Sequence, residues 1–348
     1  MDFKEIIIDE NIAMIQAMEI LDKTQKKVLF VEHDGKLAAA LTDGDIRRWI
    51  LAKGELDAKV KDVANYSPKF LYEEDRGKAR EYMRQIVIEA LPIVDSDNRI
   101  LSVILLNDDE IEPAKELNIP VVIMAGGLGK RLYPYTKILP KPLIPIGDIP
   151  IAEHIIDNFR RFGCRKFFLV VNYKKNMIKA YFNETVKDYE ISYIDEDIPL
   201  GTGGGLSLLK GKISTTFILT NCDILIDEDY EKIYKYHKKE NNIITMITSL
   251  KTIKIPYGVI EFGKNGEIQE MKEKPEISFF ANTGCYFVEA SVIDEMEENT
   301  DIGFPDIIDA HRLAGEKIGI YPISESAWMD MGQLDQMDEM RKRLHCDE

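Results

Sequence analysis

The stretch IPVVIMA at residues 119–125 is a continuous apolar run, and the segment AGGLGKRLYPYTKILPKP begins where it ends. A short apolar run without alternating polar positions is typical of a strand that is buried on both faces of a sheet. Gly126, Gly127 and Gly129 allow the backbone to approach a phosphate closely and to direct its N–H groups at it. These features predict an α/β domain with an anion site beyond the end of its first buried strand.

The C-terminal two thirds of the chain alternates strand patterns with helix patterns. The apolar runs KFFLVV, YEISYI and TFILTN predict further strands, and IAEHIIDNFRRF at 151–162 places its apolar side chains on one helical face. This alternation predicts an α/β fold with an open, mostly parallel sheet and helices on both faces. The segment YGVIEFGKNGEIQEMKEKP contains the turn formers Asn265-Gly266, which predict an inserted antiparallel hairpin.

The first third of the chain contains an internal repeat. Residues 28–45 (VLFVEHDGKLAAALTDGD) align without a gap to residues 91–108 (LPIVDSDNRILSVILLND). Each copy is typical of a strand, a tight turn and a second strand, with turn formers at Asp34-Gly35 and Asp97-Asn98. Helical patterns are predicted at 11–23, 43–53 and 75–89. We therefore expect an α+β unit ahead of the α/β domain.

A charged segment separates these two patterns. NDDEIEPAKELN at 107–118 contains Pro113, as expected of a linker or a short bridging helix. The chain has 348 residues, which is enough for two hydrophobic cores. We therefore predict one domain at residues 1–112 and a second at residues 117–348.

Composition excludes several classes of protein. Lys and Arg number 45 and Asp and Glu number 61, so the net charge is −16 and the chain is a poor general binder of nucleic acid. No apolar run is long enough to span a membrane, and the N-terminus lacks the pattern of a signal peptide. The four cysteines are scattered without a CxxC pair, which argues against a zinc site or a disulfide framework. We expect a cytoplasmic protein that binds neither nucleic acid nor membranes.

An anionic substrate of so acidic a chain must meet a local positive patch. Residues 126–141 carry four basic residues and no acidic one. Among them, Arg131 can contact two phosphate oxygens at once, and Lys141 adds a point charge. The segment has neither the GxGxxG spacing of dinucleotide-binding loops nor the GK[ST] ending of P-loops.

The segment matches the signature GGxGxRLxPxTxxxPKP and resembles the sugar-phosphate nucleotidyltransferases. Further matches to that family follow in order: PLGTGGGL (199–206), NCDILI (221–226), PYGVI (256–260), EKP (273–275) with NTGCYF (282–287), and WMDMG (328–332). The resemblance covers roughly residues 118–345. It implies a Rossmann-like domain that joins a nucleoside triphosphate (NTP) to a sugar 1-phosphate and releases pyrophosphate.

The resemblance also implies catalytic roles. Arg131 would hold the β- and γ-phosphates, and Lys141 would lie beside the α-phosphate. Asp223 follows an apolar strand, where a carboxylate is costly unless it binds something. Asp223 and Asp330 would be the ligands of Mg²⁺, and Lys274 would hold the sugar phosphate.

The resemblance implies two groups of binding residues. The expected nucleotide-binding residues share the glycine-rich loop and the strip along the base, and they are Met124, Ala125, Gly126, Gly127, Gly129, Arg131, Lys141, Leu200, Gly201, Thr202 and Gly204. The expected sugar-phosphate-binding residues are Gly258, Glu273, Lys274 and Asn282. Glu196 stands just before the base strip. Because a carboxylate can accept from both N1–H and N2–H of guanine, Glu196 favours GTP over UTP and dTTP.

Two positions depart from the pattern of the family. Cys222 in NCD replaces a commoner glycine, which makes this position bulkier. TGGG at 202–205 replaces TAGA, which predicts a looser base strip. Neither change removes a charged group.

The N-terminal repeat resembles a pair of CBS domains. The stretch ALTDGDIRRW is similar to the nucleotide-binding end of a CBS motif, with Thr42 near phosphate and Asp45 at the ribose hydroxyls. In the second copy Leu105 replaces Thr42, while Asp108 matches Asp45. The resemblance implies a regulatory nucleotide effector or a dimerisation platform without a ligand, and in either case a homodimer.

Three interpretations remain open. The chain is a sugar nucleotidyltransferase, a nucleotide-sensing regulator whose transferase domain is inactive, or an enzyme of this fold with another phosphate acceptor. Within the first, the CBS pair before the catalytic domain resembles a bacterial group that includes glucosamine-1-phosphate guanylyltransferases of legionaminic acid synthesis. Mannose- or heptose-1-phosphate guanylyltransferases and glucose-1-phosphate uridylyl- or thymidylyltransferases are alternatives.

Overall fold

The computed structural model describes residues 3–24, 26–52, 54–86, 88–105, 117–185 and 187–344. The chain divides into two compact units, the first comprising residues 1–113 with 323–326 and the second residues 114–322 with 327–348. Most of the predicted linker at 107–118 lies outside the described residues.

The first unit contains two small sheets with the same topology. Its strands and helices are β1 (Ile7–Asp9), α1 (Met14–Thr24), β2 (Val28–His33), β3 (Lys36–Thr42), α2 (Asp43–Leu51), α3 (Val60–Val63), β4 (Leu71–Tyr72), α4 (Ala79–Ile86), β5 (Ala90–Val94) and β6 (Ile100–Leu105). In each sheet the first strand runs parallel to the second, and the second pairs antiparallel with the third. The predicted repeat is therefore a structural repeat of strand, helix and hairpin.

The turns and helices of this unit differ in detail from the sequence prediction. Asp34 and Gly35 have φ values of 50° and 74°, as the predicted tight turn requires, and Asn98 has a φ of 64°. The helix predicted at 75–89 is α-helical only over α4, because residues Glu73–Lys78 form a 3₁₀ helix. The sequence there is EEDRGK, and a glycine in the first predicted turn weakens an α-helix.

The second unit is built around one large sheet. Its strands and helices are β7 (Val121–Met124), α5 (Tyr135–Ile138), β8 (Pro145–Ile146), β9 (Ile149–Pro150), α6 (Ile151–Arg160), β10 (Lys166–Val171), α7 (Lys175–Glu184), β11 (Glu190–Asp195), α8 (Gly201–Gly204), β12 (Phe217–Asn221), β13 (Ile224–Ile226), α9 (Tyr230–Glu240), β14 (Ile244–Lys254), β15 (Val259–Phe262), β16 (Ile268–Lys272), β17 (Glu276–Val288), α10 (Ser291–Asp294), α11 (Phe304–Leu313), β18 (Ile318–Ile323), β19 (Trp328–Asp330) and α12 (Leu334–Arg343).

The strand order of the large sheet is β11-β10-β7-β12-β17-β14-β18. The first four strands are parallel, whereas β17 is antiparallel to both of its neighbours. The mostly parallel α/β sheet is thus confirmed. The antiparallel insertion is also confirmed, because β15 and β16 form a hairpin across Asn265-Gly266, with a φ of 82° at Gly266.

Apolar side chains cover both faces of this sheet. On one face, Val122 of β7 belongs to a buried cluster that includes Phe304 and Ile307 of α11. On the other face, Phe287 contacts Tyr230 of α9, whose ring lies 4.8 Å from that of Phe159 in α6. Helices therefore pack on both faces, as the continuous apolar run of β7 predicts. Among the described residues, no helix combines the length and apolar character needed to cross a bilayer.

The parallel strands bring four loops to one edge of the sheet. Strands β11, β10, β7 and β12 share a direction, so the residues that follow them meet at the carboxyl edge. These residues are Glu196 after β11, Asn172 after β10, the glycine-rich segment after β7 and Asp223 after β12. The fold therefore gathers two acidic side chains around a glycine-rich loop.

Candidate active site

The glycine-rich loop is held in place by short contacts. Ala125 N–H donates to the carbonyl of Val170 at 2.8 Å, and the Thr136 hydroxyl donates to the carbonyl of Gly129 at 2.9 Å. Gly129 has a φ of 62°, and a Cβ there would lie 2.8 Å from the Thr136 side chain. At Gly127 a Cβ would meet nothing within 4 Å, so this part of the loop faces open space. The loop is therefore held by packing at Gly129 and open at Gly127.

Lys141 provides a cation at the carboxyl edge. It begins a 3₁₀ helix, Lys141–Leu143, and its Nζ forms an ion pair with Asp223. Both side chains are only about one tenth exposed, at 11% and 10%. Because water screens this pair weakly, each charge matters to the other and to any ligand nearby. This contact joins two residues that the sequence predicts as catalytic.

A short antiparallel ladder places Asp330 beside Asp223. Ile224 of β13 lies opposite Asp330 of β19, and Met331 N–H donates to the carbonyl of Asp223 at 2.8 Å. Burial raises the pKa of Asp330, and the negative charge of Asp223 raises it further. Two carboxylates therefore share one neighbouring lysine, Lys141. Carboxylate oxygens are hard donors, so this set fits a divalent cation.

A cavity of about 310 Å³ opens between these groups. It is lined by Arg131, Thr202, Leu219, Asn221, Asp223, Ile224, Asn282, Thr283, Gly284, Tyr286, Phe304, Pro305, Trp328 and Asp330. Five of these residues were predicted from the sequence as catalytic or binding residues: Arg131, Thr202, Asp223, Asn282 and Asp330. The structure therefore gathers side chains from five separate motifs in one cavity.

Sequence reasoning missed several side chains of the cavity wall. Asn221 ends β12, and a Cβ on Gly284 would lie 2.4 Å from its amide nitrogen. The indole N–H of Trp328 has no hydrogen-bond partner among the described residues, and Lys251 lies over its ring at 4.9 Å. Both residues belong to motifs identified in the sequence, NCDILI and WMDMG. Each lies two residues before a predicted metal ligand, and this proximity could have identified them as neighbours of the site.

Glu196 is buried, not solvated. Its exposed fraction is 5%, and its backbone N–H donates to the carbonyl of Val171 at 3.0 Å. A Cβ on Gly126 would lie 2.7 Å from its Oε2, and a Cβ on Gly205 would lie 2.3 Å from its Oε1. Among the described residues Oε1 has no hydrogen-bond partner. Burial, with a smaller contribution from Asp301, raises the pKa of Glu196 to about 7.

The base strip is close-packed. A Cβ on Gly204 would lie 2.0 Å from the carbonyl oxygen of Thr300, and Gly201 has a φ of 76°. Cβ atoms on Gly203 and Gly205 would lie 2.6 Å and 2.3 Å from Ile307 and Glu196. The expectation that TGGG loosens the strip is wrong, because neighbouring atoms occupy the space that alanine side chains would need.

The rest of the strip and loop is also fixed. Leu200 is buried, and Thr202 Oγ1 accepts a hydrogen bond from Phe304 N–H at 3.2 Å. Met124 ends β7 with its side chain partly buried against the core, and Ala125 is buried. Packing and a backbone hydrogen bond therefore fix the positions of these predicted nucleotide-binding residues.

Three of the predicted sugar-phosphate residues do not line the cavity. A Cβ on Gly258 would lie 3.1 Å from Glu273 Oε2, and Lys274 Nζ lies 3.9 Å from Glu273 Oε1. The side chains of Glu273 and Lys274 are 68% and 59% exposed. In contrast, Asn282 lines the cavity and donates from Nδ2 to Tyr286 Oη at 2.7 Å. The structure thus places Gly258, Glu273 and Lys274 together at the base of the β15–β16 hairpin.

Thr42 and Asp45 are engaged with each other at the start of α2. Asp45 N–H donates to Thr42 Oγ1 at 3.2 Å, and Thr42 N–H donates to Asp45 Oδ2 at 2.9 Å. This reciprocal pair is a capping box, and Arg48 also forms an ion pair with Asp45. A nucleotide at this helix start would share these groups with the cap. Leu105 ends β6, and Asp108 lies outside the described residues.

Comparison with known proteins agrees with this geometry. The model of the nucleotidyl transferase family matches residues 120–345. The chain belongs to the nucleotidyl transferase family. The match includes the glycine-rich loop, Asp223 and Asp330. The cavity therefore lies in a domain whose relatives transfer nucleotidyl groups.

Named nucleotidyl transferase relatives support the same assignment. The chain is 33% identical over 226 residues to the bifunctional protein GlmU of Methanococcus maripaludis, covering 61% of this chain and 51% of that protein. It is 28% identical over 221 residues to the mannose-1-phosphate guanylyltransferase of Mycobacterium tuberculosis, covering 62% of this chain and 61% of that protein. The chain thus spans about half the length of the GlmU relative. The crystal structure of HddC from Yersinia pseudotuberculosis shares the fold, with 21% identity and a TM-score of 0.52 over 65% of this chain and 99% of that one.

Proposed function

We propose that this nucleotidyl transferase joins an NTP to a sugar 1-phosphate and releases pyrophosphate. The observation that carries the proposal is the convergence of Arg131, Asp223 and Asp330 on one cavity, with Lys141 paired to Asp223, beside a preformed glycine-rich loop. In this reaction a phosphate oxygen of the sugar phosphate attacks the α-phosphorus. The bond from the α-phosphorus to the bridging oxygen breaks, and pyrophosphate leaves.

The side chains of this site would act by position and charge. The attacking phosphate oxygen is already ionised, so the reaction needs no general base. Lys141 would neutralise charge at the α-phosphate, and Arg131 would hold the leaving phosphates. Loop N–H groups near Gly127 would contact phosphate oxygens. Retention of these charged groups favours a working enzyme over a nucleotide-sensing regulator with an inactive transferase domain.

We propose Mg²⁺ as the metal. Asp223, which is buried, and Asp330, which is partly buried, would hold it, because carboxylate oxygens are ligands that Mg²⁺ prefers. When bound, the ion would neutralise the phosphates of the NTP and their leaving group. Lys141 would then exchange its contact with Asp223 for one with the substrate.

Glu196 supports GTP as the preferred NTP. Its carboxyl group is buried against Gly126 and Gly205, and Oε1 has no partner among the described residues. Guanine offers two neighbouring N–H donors, which would satisfy both oxygens of an ionised Glu196. Uracil and thymine offer one donor between two acceptors. UTP or dTTP would leave a buried carboxylate oxygen unpaired, which is unfavourable.

Replacing Glu196 with glutamine should reduce the preference for GTP over UTP, measured as the ratio of kcat/KM values, by about tenfold or more. The glutamine NH₂ would face a guanine donor. Because the pKa of Glu196 is about 7, GTP affinity should increase from pH 6 to 8 in the wild type as the carboxyl ionises. The pH dependence should disappear in Glu196→Gln. A Glu190→Gln variant, altered at an exposed position on β11, is the matched control. An unchanged base ratio in Glu196→Gln would remove Glu196 from the base pocket.

For the sugar phosphate we propose Lys274 as the phosphate contact, with Gly258, Glu273 and Asn282 facing the sugar. Asn282 already lines the cavity, whereas the other three lie at the hairpin base. Glucosamine 1-phosphate is our leading candidate, within a route to legionaminic acid. Mannose, heptose and glucose 1-phosphates remain alternatives, because changing one sugar substituent requires only one altered side chain.

A screen of pyrophosphate release over GTP, UTP, dTTP and ATP with each sugar 1-phosphate tests the proposed function. We expect GTP with a hexosamine or hexose 1-phosphate to give the highest kcat/KM, and only with a divalent ion. No release with any sugar phosphate would favour either the inactive regulator or another phosphate acceptor. The same screen run with Asp223→Asn shows whether the measured release belongs to this site.

We propose that the first unit is a CBS pair that forms a homodimer and takes a nucleotide effector at Thr42 and Asp45. The topological repeat of its two sheets supports a CBS pair. The position of both residues at a helix start supports an anion site, although they already form a capping box. A dimerisation platform without a ligand is the alternative. We place the protein in the cytoplasm, where its proposed substrates occur.

Calorimetric titration of the full chain with AMP and ATP should detect a site that Asp45→Ala abolishes. Alanine removes the carboxylate proposed to bind ribose, and it also removes the acceptor that Asp45 provides to the capping box, which lowers the stability of the helix. Asp45→Asn, which keeps a cap acceptor, separates these effects and should weaken binding while preserving stability. If no nucleotide binds at millimolar concentration outside the catalytic site and cross-links between two copies still join residues of the first unit, the platform interpretation holds.

A further inference from the structure

The inserted hairpin has one apolar face and one charged face. Strands β15 and β16 form a two-stranded sheet, in which Ile260 lies opposite Met271 and Phe262 lies opposite Ile268. Ile260 and Phe262 are two residues apart on β15 and share a face, because side chains alternate along a strand. The register shifts between the Glu261–Glu270 and Phe262–Ile268 pairs, so one extra residue on β16 keeps Ile268 on the same face as Met271. Since opposite residues share a face, the four residues form one surface. They are 50%, 63%, 73% and 65% exposed, respectively. We call this surface the ribbon face.

The opposite face of the hairpin is suited to water. Glu261 lies opposite Glu270, and Lys272 Nζ lies 3.0 Å from Glu270 and 3.7 Å from Glu261. The three charges form a small network at the surface. Solvent therefore suits this side, whereas the ribbon face exposes four large apolar side chains that water solvates poorly.

The hairpin cannot gain much stability from its own contacts. A two-stranded ribbon is marginal in water unless a further strand, a helix or another surface covers it. The hairpin continues from β14 and β17, where Ile255 N–H donates to the carbonyl of Pro275 at 3.0 Å. Where β14 and β17 approach the hairpin, Ile253 lies opposite Ile277, and both residues are about half exposed. The strands that lead into the hairpin therefore also expose apolar side chains.

We propose that the ribbon face is an interface with the ribbon face of a second copy of this chain. Two identical apolar faces related by a two-fold axis cover each other. The four side chains expose on the order of 500 Å², so the pair would bury about 1,000 Å² in total, the lower limit for a specific interface.

Local charge favours the same occupant. The whole chain carries −16, but residues 251–276 contain five lysines and five glutamates and are therefore neutral. Two copies meeting here encounter no net local repulsion, and opposite charges at the rim can pair across the two-fold axis. An anionic lipid surface would be repelled by the chain as a whole and would find no excess of lysine at the ribbon.

This interface would act on the sugar-phosphate half of the proposed active site, and that consequence depends on the proposed function. Gly258 directly precedes β15, and Glu273 and Lys274 directly follow β16. A ribbon held by a second copy restricts the motion of the exposed residues at its base. Association should therefore lower the KM for the sugar phosphate and leave the KM for the NTP unchanged.

The test compares two double variants of the full chain by sedimentation over a range of concentrations. Phe262→Ser with Ile268→Ser removes the two most exposed residues of the ribbon face. The matched control, Glu261→Ser with Glu270→Ser, alters an opposite pair on the charged face. We expect the apolar variant to weaken self-association at least tenfold, with any remaining dimer formed by the first unit as proposed above, and the control to behave like the wild type. Equal melting temperatures of dilute samples would show that both variants fold.

Cross-linking of mixed light and heavy isotope samples identifies the contact itself. Links between Lys264 or Lys272 of one copy and the same region of another should form in the wild type and be lost in the apolar variant. Links only within one copy, or equal self-association of wild type and apolar variant, would overturn the proposal. If the wild type binds anionic vesicles and the apolar variant does not, the ribbon face is instead a membrane-binding surface and the proposal is wrong. Because these readouts do not need catalysis, they stand apart from the proposed function.

The kinetic consequence has its own readout. At a concentration where the wild type is associated, the apolar variant should show a KM for the sugar phosphate raised several-fold, with an unchanged KM for the NTP. If association is lost but both KM values stay the same, the interface stands and its coupling to the sugar-phosphate site is wrong.

Discussion

Replacing Asp223 with asparagine should reduce kcat by about 1,000-fold while the fold remains intact. The substitution keeps the size of the side chain but removes the charge proposed to hold the metal. A bound metal supplies several kcal/mol of charge stabilisation in such a transition state, and about 1.4 kcal/mol corresponds to tenfold in rate. Because Asp223 is paired with Lys141 and lies beside Asp330, no other carboxylate within this ladder can take over both contacts.

The measurement is pyrophosphate release at saturating substrates over a series of Mg²⁺ concentrations. Asp227→Asn, an exposed position four residues further along the chain, should leave the rate within twofold of the wild type. Asp223→Asn should also need more metal for its remaining activity, because one ligand is weakened. Metal-dependent turnover at a near-normal rate in Asp223→Asn would rule out the metal assignment.

Replacing Lys141 with methionine is expected to have the second largest effect, a fall in kcat of about 100- to 1,000-fold. A buried charged donor aimed at a transferring phosphate contributes about this much when it is removed. Methionine keeps the apolar stem of lysine, so packing in the 3₁₀ helix Lys141–Leu143 should survive. The KM for the NTP should change less than kcat, since Arg131 and the loop would still bind the outer phosphates.

Stability measurements separate this role of Lys141 from a structural one. Without Lys141, the buried carboxylate of Asp223 loses its ion pair, and the partly buried Asp330 beside it loses a neighbouring positive charge. Breaking such a pair costs about 3 kcal/mol or more, which corresponds to roughly 6–12 °C in melting temperature for a domain of this size. Mg²⁺ should restore stability to Lys141→Met more than to the wild type, because it replaces the lost positive charge.

The matched control for this variant is Lys137→Met, an exposed lysine in the same segment. Lys137 lies over the ring of Tyr133 at 5.4 Å and is not among the residues that line the cavity. It should retain activity and melting temperature. A kcat for Lys141→Met within threefold of the wild type would show that Lys141 only balances the aspartates in the free protein.

Local patterns were reliable where local forces decide structure. The apolar run before Gly126 became β7, and the turn formers Asp34-Gly35 and Asn265-Gly266 became turns with positive φ values. Residue choice at such positions is dictated by backbone sterics within a few residues. The helix predicted at 75–89 was less accurate, because one glycine and a run of charges favoured a 3₁₀ start.

The burial of Glu196 was not available from the sequence. Its carboxyl group is enclosed by Gly126, which follows a different strand, and by Gly205, which lies beyond the base strip. An acidic residue in a polar stretch such as DEDIPLG reads as solvated, because burial depends on residues distant in the chain. The same packing explains why the glycines do not loosen the base strip: neighbouring atoms lie so close to their backbone that the strip is held in place.

By itself, the sequence determined the motifs of the family and the candidate residues within them. Arg131, Lys141, Asp223 and Asp330 stand in short motifs whose residue types suit the binding of phosphate and metal. Only the tertiary structure decided which of them meet. The pairing of β13 with β19 brings Asp330 beside Asp223, while the hairpin keeps Lys274 exposed and out of the cavity wall. The residue types in a motif reflect what that short segment must do. The distances between residues of different motifs depend on long-range packing, which no single segment encodes.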